Sequence, residues 1–201
     1  MPDSDTDKIV DSIALSPIAM VLSNPRHPDN PLEVVNSAFC TLTGFAEADI
    51  LGRNCRFLAG NGTEPKAQSD LRNAINGKRA ALVEILNYRQ DGTAFRNGVM
   101  IAPVFGSDGA LVYFLGSQVD LGPEANGLSD RRSDAAQRVA RLPRRQREVL
   151  DGMAHGLLNK QIAWELKISE KTVKMHRALL IERLGVATSA DAIRIAVEAG
   201  L

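Results

Sequence analysis

The stretch GRNCRFLAG, Gly52 to Gly60, decides how the first half of this chain is read. Of the two cysteines in the chain, Cys55 stands between an asparagine and an arginine, at a point where a short helix should begin. Cys40, in VVNSAFCTL, keeps the apolar company of a structural cysteine. A thiol flanked by hydrogen-bonding and cationic side chains is placed for chemistry rather than for packing.

The surroundings of that stretch are mixed. Residues 9–22 predict a short amphipathic lead-in followed by a first strand, and turn-rich NPRHPDNP (Asn24–Pro31) predicts a loop before a second strand in LEVVN. SAFCTLTG, AEADILG and NCRFLAG predict short helical pieces, and residues 66–76 a longer helix ended by Gly77. The runs ALVEILNYRQ, TAFRNGVMIAPVF and ALVYFLGSQVD are β-rich, and the Asp91-Gly92 and Asp108-Gly109 pairs between them signal hairpins. This α+β unit ends near Asp120, and GPEANGLS (122–129) has the composition of an interdomain linker.

From Ser129 onward the pattern is helical. SDAAQRVARL predicts a connector, Pro143 the first turn of a helix running to His155 and stopping at Gly156, and NKQIAWELK a short helix. Ser169 suits the N-cap of a helix running to Leu184 with Gly185 as its stop, and residues 188–199 close the chain as a fourth helix.

At 201 residues the chain can form two small domains, and 44% hydrophobic with 24% charged residues is ordinary globular composition. No apolar run approaches the roughly 20 residues that span a bilayer. The acidic start MPDSDTDK lacks the basic region of a secretory signal, and two cysteines do not make a disulfide framework, so a reducing cytoplasm is expected. Zero net charge hides a division: residues 1–126 balance at −5 and residues 127–201 at +5. The basic half is a candidate for nucleic acid, and the two halves could also attract each other.

The chemistry of Cys55 is bounded by what accompanies it. Two cysteines and three scattered histidines do not make a zinc site, and His155 and His176 lie in the basic half, away from any Cys–His pairing. No Gly-rich phosphate loop is present, and a redox pairing of Cys40 with Cys55 stays open. Asn54 and Arg56 flank the thiol, Arg72 lies one helix away, and Asn87, Asn97 and Gln118 fall in three different strands. Arginines suit a phosphate and amides suit the rim of a heterocyclic ring, so together they could hold a flavin nucleotide.

GRNCRFL, with LRNAI, LNY, FRN and GSQ following in order, resembles the LOV domain, the blue-light-sensing form of the PAS fold, over roughly residues 13–120. The resemblance implies a five-stranded antiparallel sheet and a bound flavin, FMN in preference to FAD. It implies that Cys55 forms a light-driven, thermally reversible bond to flavin carbon C4a, without turnover, so no enzyme is expected. Arg56 and Arg72 would then hold the phosphate, Asn54 the ribityl chain, and Asn87 and Asn97 the polar edge of the ring. Gln118 would sit beside the ring nitrogen that becomes protonated. Ala59 departs from the glutamine many LOV domains carry, and Arg96 from the tryptophan of plant relatives, the latter on the outer sheet face.

In the basic half a short helix, a tight KIS turn and a longer helix make a helix-turn-helix. Val173, His176, Leu180 and Leu184 form its buried stripe, leaving Lys171, Lys174, Met175 and Ala178 on the other side. Spacing alone does not separate a DNA reader from a packed bundle. REVL, GLLNKQIA, ISEKTVKMHR and RLGV, however, resemble the four-helix LuxR/GerE-type DNA-binding domain. That resemblance implies base contacts from Lys174 and Met175, backbone contacts from Lys171, Thr172 and Arg177, and dimerisation through Ala192, Ile193, Ala196 and Val197.

The organisation expected is an N-terminal extension (1–12), a LOV sensor (13–120), a linker with a connector helix (121–141) and a LuxR-type domain (142–201). By resemblance to bacterial LOV–HTH photoreceptors, the dark chain is a monomer with its sensor sheet against the helix-turn-helix. The same resemblance implies that light releases a homodimer that binds double-stranded DNA. The competing readings are a flavin redox sensor or flavoenzyme, and a regulator gated by a metabolite in the PAS cavity.

Overall fold

The computed structural model describes residues 4–122 and 127–201. Helix α1 (Ser4–Ala14) precedes strand β1 (Ala19–Ser23), β2 (Leu32–Val35), α2 (Ser37–Thr43) and α3 (Glu47–Ile50). A 3-10 turn over Cys55–Leu58, helix α4 (Pro65–Asn76) and strands β3 (Ala81–Tyr88), β4 (Ala94–Phe105) and β5 (Leu111–Asp120) complete the first unit. The five strands form one antiparallel sheet in the order β2-β1-β5-β4-β3, with the two Asp-Gly turns joining β3 to β4 and β4 to β5.

Strand register sorts the side chains onto two faces. Gln118 is paired with Ala19 and Val99, and its neighbour Ser117 with Met20 and Met100. Successive residues of a strand point to opposite sides, so these two rows belong to different cores. On the first face Ala19 and Val21 join Leu32, Phe39, Ile50 and Leu58 in one apolar cluster, and Val99, Ile101 and Ile85 join Ala67 and Ala74 of α4 in a second. Gln118 lies in register between them.

The opposite face carries Met20, Leu22, Met100, Ala102, Val104 and Leu115, and these share one continuous core with the C-terminal helices. Those helices are α5 (Gly127–Ala140), α6 (Arg144–Ala154), α7 (Asn159–Leu166), α8 (Glu170–Leu184) and α9 (Ser189–Glu198). Helix α5 begins inside the stretch read from sequence as linker; the rest of that reading, 123–126, lies outside the described residues. Local chemistry sets the helix ends: Ser169 Oγ accepts the Thr172 N–H at 3.1 Å, and Thr188 and Asp191 cap α9 reciprocally.

Every residue of α9 from Ala190 to Glu198 is buried. Helical spacing turns Ala190, Ile193, Arg194 and Val197 to one side, toward the sheet and α1, and Ala192 and Ala196 to the other. Burying two side chains such as Ile193 and Val197 contributes about 3–6 kcal/mol. Helix α1 and the turn that follows it grip the same helix at its N-terminal end: the Ala190 N–H donates to Ser12 Oγ at 3.1 Å, and Ser16 Oγ donates to Asp191 Oδ1 at 2.6 Å. Asn36 anchors this corner, its buried Nδ2 donating to the carbonyls of Ile13, Ser16 and Ile18 while its Oδ1 accepts the N–H groups of Met20 and Phe39.

Candidate functional site

Asn54 opens the 3-10 turn: its Oδ1 accepts the Arg56 N–H at 3.0 Å, which aims Cys55 at the apolar cluster of Ala19, Phe39 and Leu58. The thiol is half-buried as a residue, but its sulfur lies in the interior, and that burial pushes its pKa up to about 12. The group is therefore a neutral thiol at physiological pH. A neutral thiol is a poor nucleophile until something else activates it.

Across the same sheet face the amides form a relay. Asn87 Nδ2 donates to the Leu58 carbonyl at 3.2 Å, Asn97 Nδ2 donates to Asn87 Oδ1 at 2.9 Å, and Asn97 Oδ1 accepts the Val119 N–H at 3.2 Å. Both amide side chains are buried, and the relay ends one residue from Gln118. Gln118 is 3% exposed, and its Oε1 is buried with no hydrogen-bond partner. A buried carbonyl oxygen without a donor costs roughly 1–3 kcal/mol, so it marks a place where a polar ligand atom belongs.

This donor set fits a flavin: amides for the ring edge, an orphaned amide beside a neighbouring apolar cluster, and a thiol packed on that cluster. The phosphate end is looser. Arg56 is exposed and holds Asp29 at 2.6 Å, Asn54 Nδ2 donates to the Asp29 carbonyl at 2.5 Å, and Arg72 is exposed on α4. Arg96, read from sequence only as an outer-face residue, pairs with Glu84 at 2.6 Å and with Glu64, fixing the start of α4 to the sheet. The hydrogen bond from the Leu86 N–H, then the Arg96 guanidinium, hold the Glu64 carboxyl below its usual range.

On the reverse of β5, Ser117 is fully buried and bonds Arg194 of α9, which is 1% exposed and pairs with Glu198 at 2.5 Å. Burial pulls the Arg194 pKa below its ordinary value, and Glu198 opposes that pull. Ser117, Arg194 and Glu198, like Ser12, Ser16 and Asp191, escaped the sequence reading. A usable signal was present, since Arg194 and Glu198 sit four apart, at ion-pair spacing, in a helix whose other residues after Asp191 are apolar.

The helix-turn-helix is α7 and α8. Val173, Leu180 and Leu184 of the stripe are buried and His176 is half-buried. Lys171, Lys174 and Met175 are exposed, Thr172 is tied to the Ser169 cap, and Arg177 bonds Asn159 at 2.7 Å and Ser189 at 3.1 Å. Lys174 and Arg177 also line a cavity of about 320 Å³ whose other walls include Ile9, Ala102, Pro103 and Leu115. The face read as the DNA-reading surface thus stands partly against α1 and the sheet. Gly156, at φ +77°, touches the end of β4 directly: a Cβ there would lie 2.2 Å from the Pro103 carbonyl oxygen.

A sheet with a thiol and amides on one face, and a helix-turn-helix on the other, defines a sensor joined to a DNA-binding module. Comparison with known proteins agrees: residues 17–122 match the PAS domain model, and residues 140–196 match the model of bacterial regulatory proteins of the luxR family. The chain belongs to the PAS domain family, as a LOV blue-light photoreceptor domain followed by a LuxR-type helix-turn-helix.

Among curated relatives, the blue-light-activated histidine kinase 1 of Erythrobacter litoralis (strain HTCC2594) is 38% identical over 178 residues, covering 89% of this chain and 48% of the relative. The chain spans half or less of the length of such relatives. Among solved structures, the light state of the Aureochrome1 LOV domain is 42% identical with a TM-score of 0.51, covering 52% of this chain and 82% of that one. A LOV domain studied with a flavin analogue is 37% identical with a TM-score of 0.54, covering 60% and 87%.

Proposed function

We propose that this chain is a blue-light-regulated DNA-binding transcription factor, with FMN as its chromophore and no enzymatic turnover. A bound flavin would supply the photochemistry: blue light would let the Cys55 thiol add reversibly across the ring, its sulfur to carbon and its proton to the adjacent nitrogen. The chain's own residues do the rest. Asn87 and Asn97 orient the ring edge, Asn54 the ribityl chain, and Arg56 and Arg72 the phosphate. The observation that carries the reading is the buried, unpartnered Gln118 Oε1, back to back with Ser117 and its bond to Arg194.

A turn of the Gln118 amide in response to a newly protonated ring nitrogen would disturb β5 one residue from the contact that holds α9. In the dark, α9 lies against the sheet, and the partly screened α8 is not free for DNA. In the light the helix-turn-helix would be released, pair with a second copy through α9, and bind duplex DNA. Ile193 and Val197 are the dimer-face residues that the sheet covers, so docking and pairing compete for them. Moving such a switch from 1% to 99% active needs about 5.5 kcal/mol, comparable to what Ile193 and Val197 contribute by burial. Among the described residues no helix is long and apolar enough to cross a membrane, and a cytoplasmic regulator is the corresponding proposal.

The test is an absorption spectrum before and after a blue flash, on the parent and on Cys55→Ala. The parent should lose its blue band and recover it in the dark, while Cys55→Ala should keep flavin and lose both the bleaching and the light-stimulated DNA binding. A retained flavin that does not bleach in the parent would favour redox sensing instead.

A further inference from the structure

On the side of the sheet away from the amides, the docked arrangement leaves a cavity of about 320 Å³. Its walls come from both halves of the chain. Ile9 of α1, Leu115 of β5, Met153 of α6 and Ile193 of α9 make it apolar, and Lys174 and Arg177 of α8 supply cations. The Arg177 guanidinium is fixed by its bonds to Asn159 at 2.7 Å and Ser189 at 3.1 Å, and Lys174 stands three residues before it on the same side of α8. Lys174 is exposed, so it marks the mouth. Among the described residues no carboxylate lines the cavity. Pockets of about 300–1,000 Å³ with mostly apolar walls and a few placed polar groups hold small ligands. Apolar walls with two cations and no acid at the rim select an anion that carries an apolar tail.

We propose that this cavity is a second input site, which takes a small amphipathic monoanion of the medium-chain carboxylate class. The tail lies among Ile9, Leu115, Met153 and Ile193, and the carboxylate meets Lys174 at the mouth. The walls part when α9 leaves the sheet, so the ligand binds the docked chain and not the released one. Binding to one state alone shifts the equilibrium about 100-fold when the ligand stands at 100 times its Kd. A light state about 99% released without ligand is then about half released with it. The carboxylate also covers Lys174, one of the residues read as facing bases. The effect on the switch rests on the proposed light-driven release of α9, whereas the site itself concerns the dark chain and stands or falls without that reading.

The experiment titrates octanoate into the full flavin-loaded chain in the dark, followed by calorimetry and by the methyl resonances of Met153 and Ile193. One saturable site is expected, with both methyl groups shifting. Hexanoate should bind about 15-fold more weakly, at about fourfold per methylene. Octylamine, of opposite charge, should bind more weakly than octanoate. Lys174→Gln should weaken octanoate by up to about fivefold, the size of an exposed ion pair. Ala102→Leu, which fills the cavity from β4, should abolish binding, and amide protection at Met100 checks that this variant stays docked. Under illumination, octanoate at 100 times its Kd should restore protection at Met100 that the ligand-free parent loses. No saturable binding, equal affinity for octanoate and octylamine, binding that leaves Met153 and Ile193 unshifted, or binding that survives Ala102→Leu in a docked chain would overturn the proposal. If Ala102→Leu undocks, the methyl shifts and Lys174→Gln carry the decision. Loss of the light response in the ligand-free parent would sink the switch and leave the site standing.

Discussion

Replacing Arg194 by methionine tests the docked arrangement most sharply. The guanidinium is 1% exposed and holds two groups at once, the hydroxyl of Ser117 across the interface and the carboxylate of Glu198 within α9. Methionine fills much of the same volume but leaves Glu198 buried beside the sheet without its cation. Removing one partner of a buried pair costs about 3–5 kcal/mol. In the released chain this face of α9 meets water, so the penalty falls on docking alone. Each 1.36 kcal/mol is a factor of ten, so the dark equilibrium should move toward release by about 10²- to 5 × 10³-fold. The assay is amide exchange of β5 and the outer sheet residues Met100 and Ala102 in the dark, which reads undocking without requiring a dimer. The variant should lose protection there in darkness, as the parent does under illumination. The double variant Arg194→Met with Glu198→Leu should regain it, because an apolar pair of similar volume removes the stranded charge. Dark protection unchanged in Arg194→Met would refute the reasoning.

With its pKa near 12 against 9.0 for a free thiol, Cys55 should be alkylated by iodoacetamide about 10³-fold more slowly than a model thiol at pH 8. By the same shift its contribution to stability is full below pH 9 and is lost as pH rises toward 12, read as a falling Tm over that window. Gln118→Leu should retain flavin bleaching but lose most light-dependent loss of exchange protection at β5; full retention of that response would show that the signal leaves by another strand. Gly156→Ala should release the helix-turn-helix in the dark, since the new Cβ would meet the Pro103 carbonyl at 2.2 Å and a positive φ adds strain. Dark exchange at Phe105, whose N–H donates to the Gly156 carbonyl at 3.3 Å, is the direct readout.

The strands, their hairpin turns, the Ser169 cap and the buried stripe of α8 were legible because each is a local pattern of a few residues. The amides Asn87, Asn97 and Gln118 were legible as residue types on three strands, whereas the relay from Leu58 through Asn87 and Asn97 to Val119 depends on register. Contacts between distant positions left no such trace. Ser16 reaches Asp191 across 175 residues and Ser117 reaches Arg194 across 77, and neither partner announces the other. Residues 9–22 were read as a short amphipathic lead-in and a first strand, whereas α1 runs from Ser4 to Ala14 and its Ser12, with Ser16 just beyond it, holds α9. The burial of Cys55 also needed the fold, because its sequence neighbours are polar and its apolar ones come from β1 and α2.

The grip on α9 is made within a single chain, by β5 at one end and α1 at the other. Closing it is first order, with a local concentration set by the tether through α5, whereas pairing of two released helices is second order. If the proposed switch operates, the abundance of the protein acts as a gain control. At low copy number a released helix would fall back onto its own sheet before meeting another, and brief light would leave little output. At high copy number the same light would be captured as paired chains, and sensitivity would follow expression level.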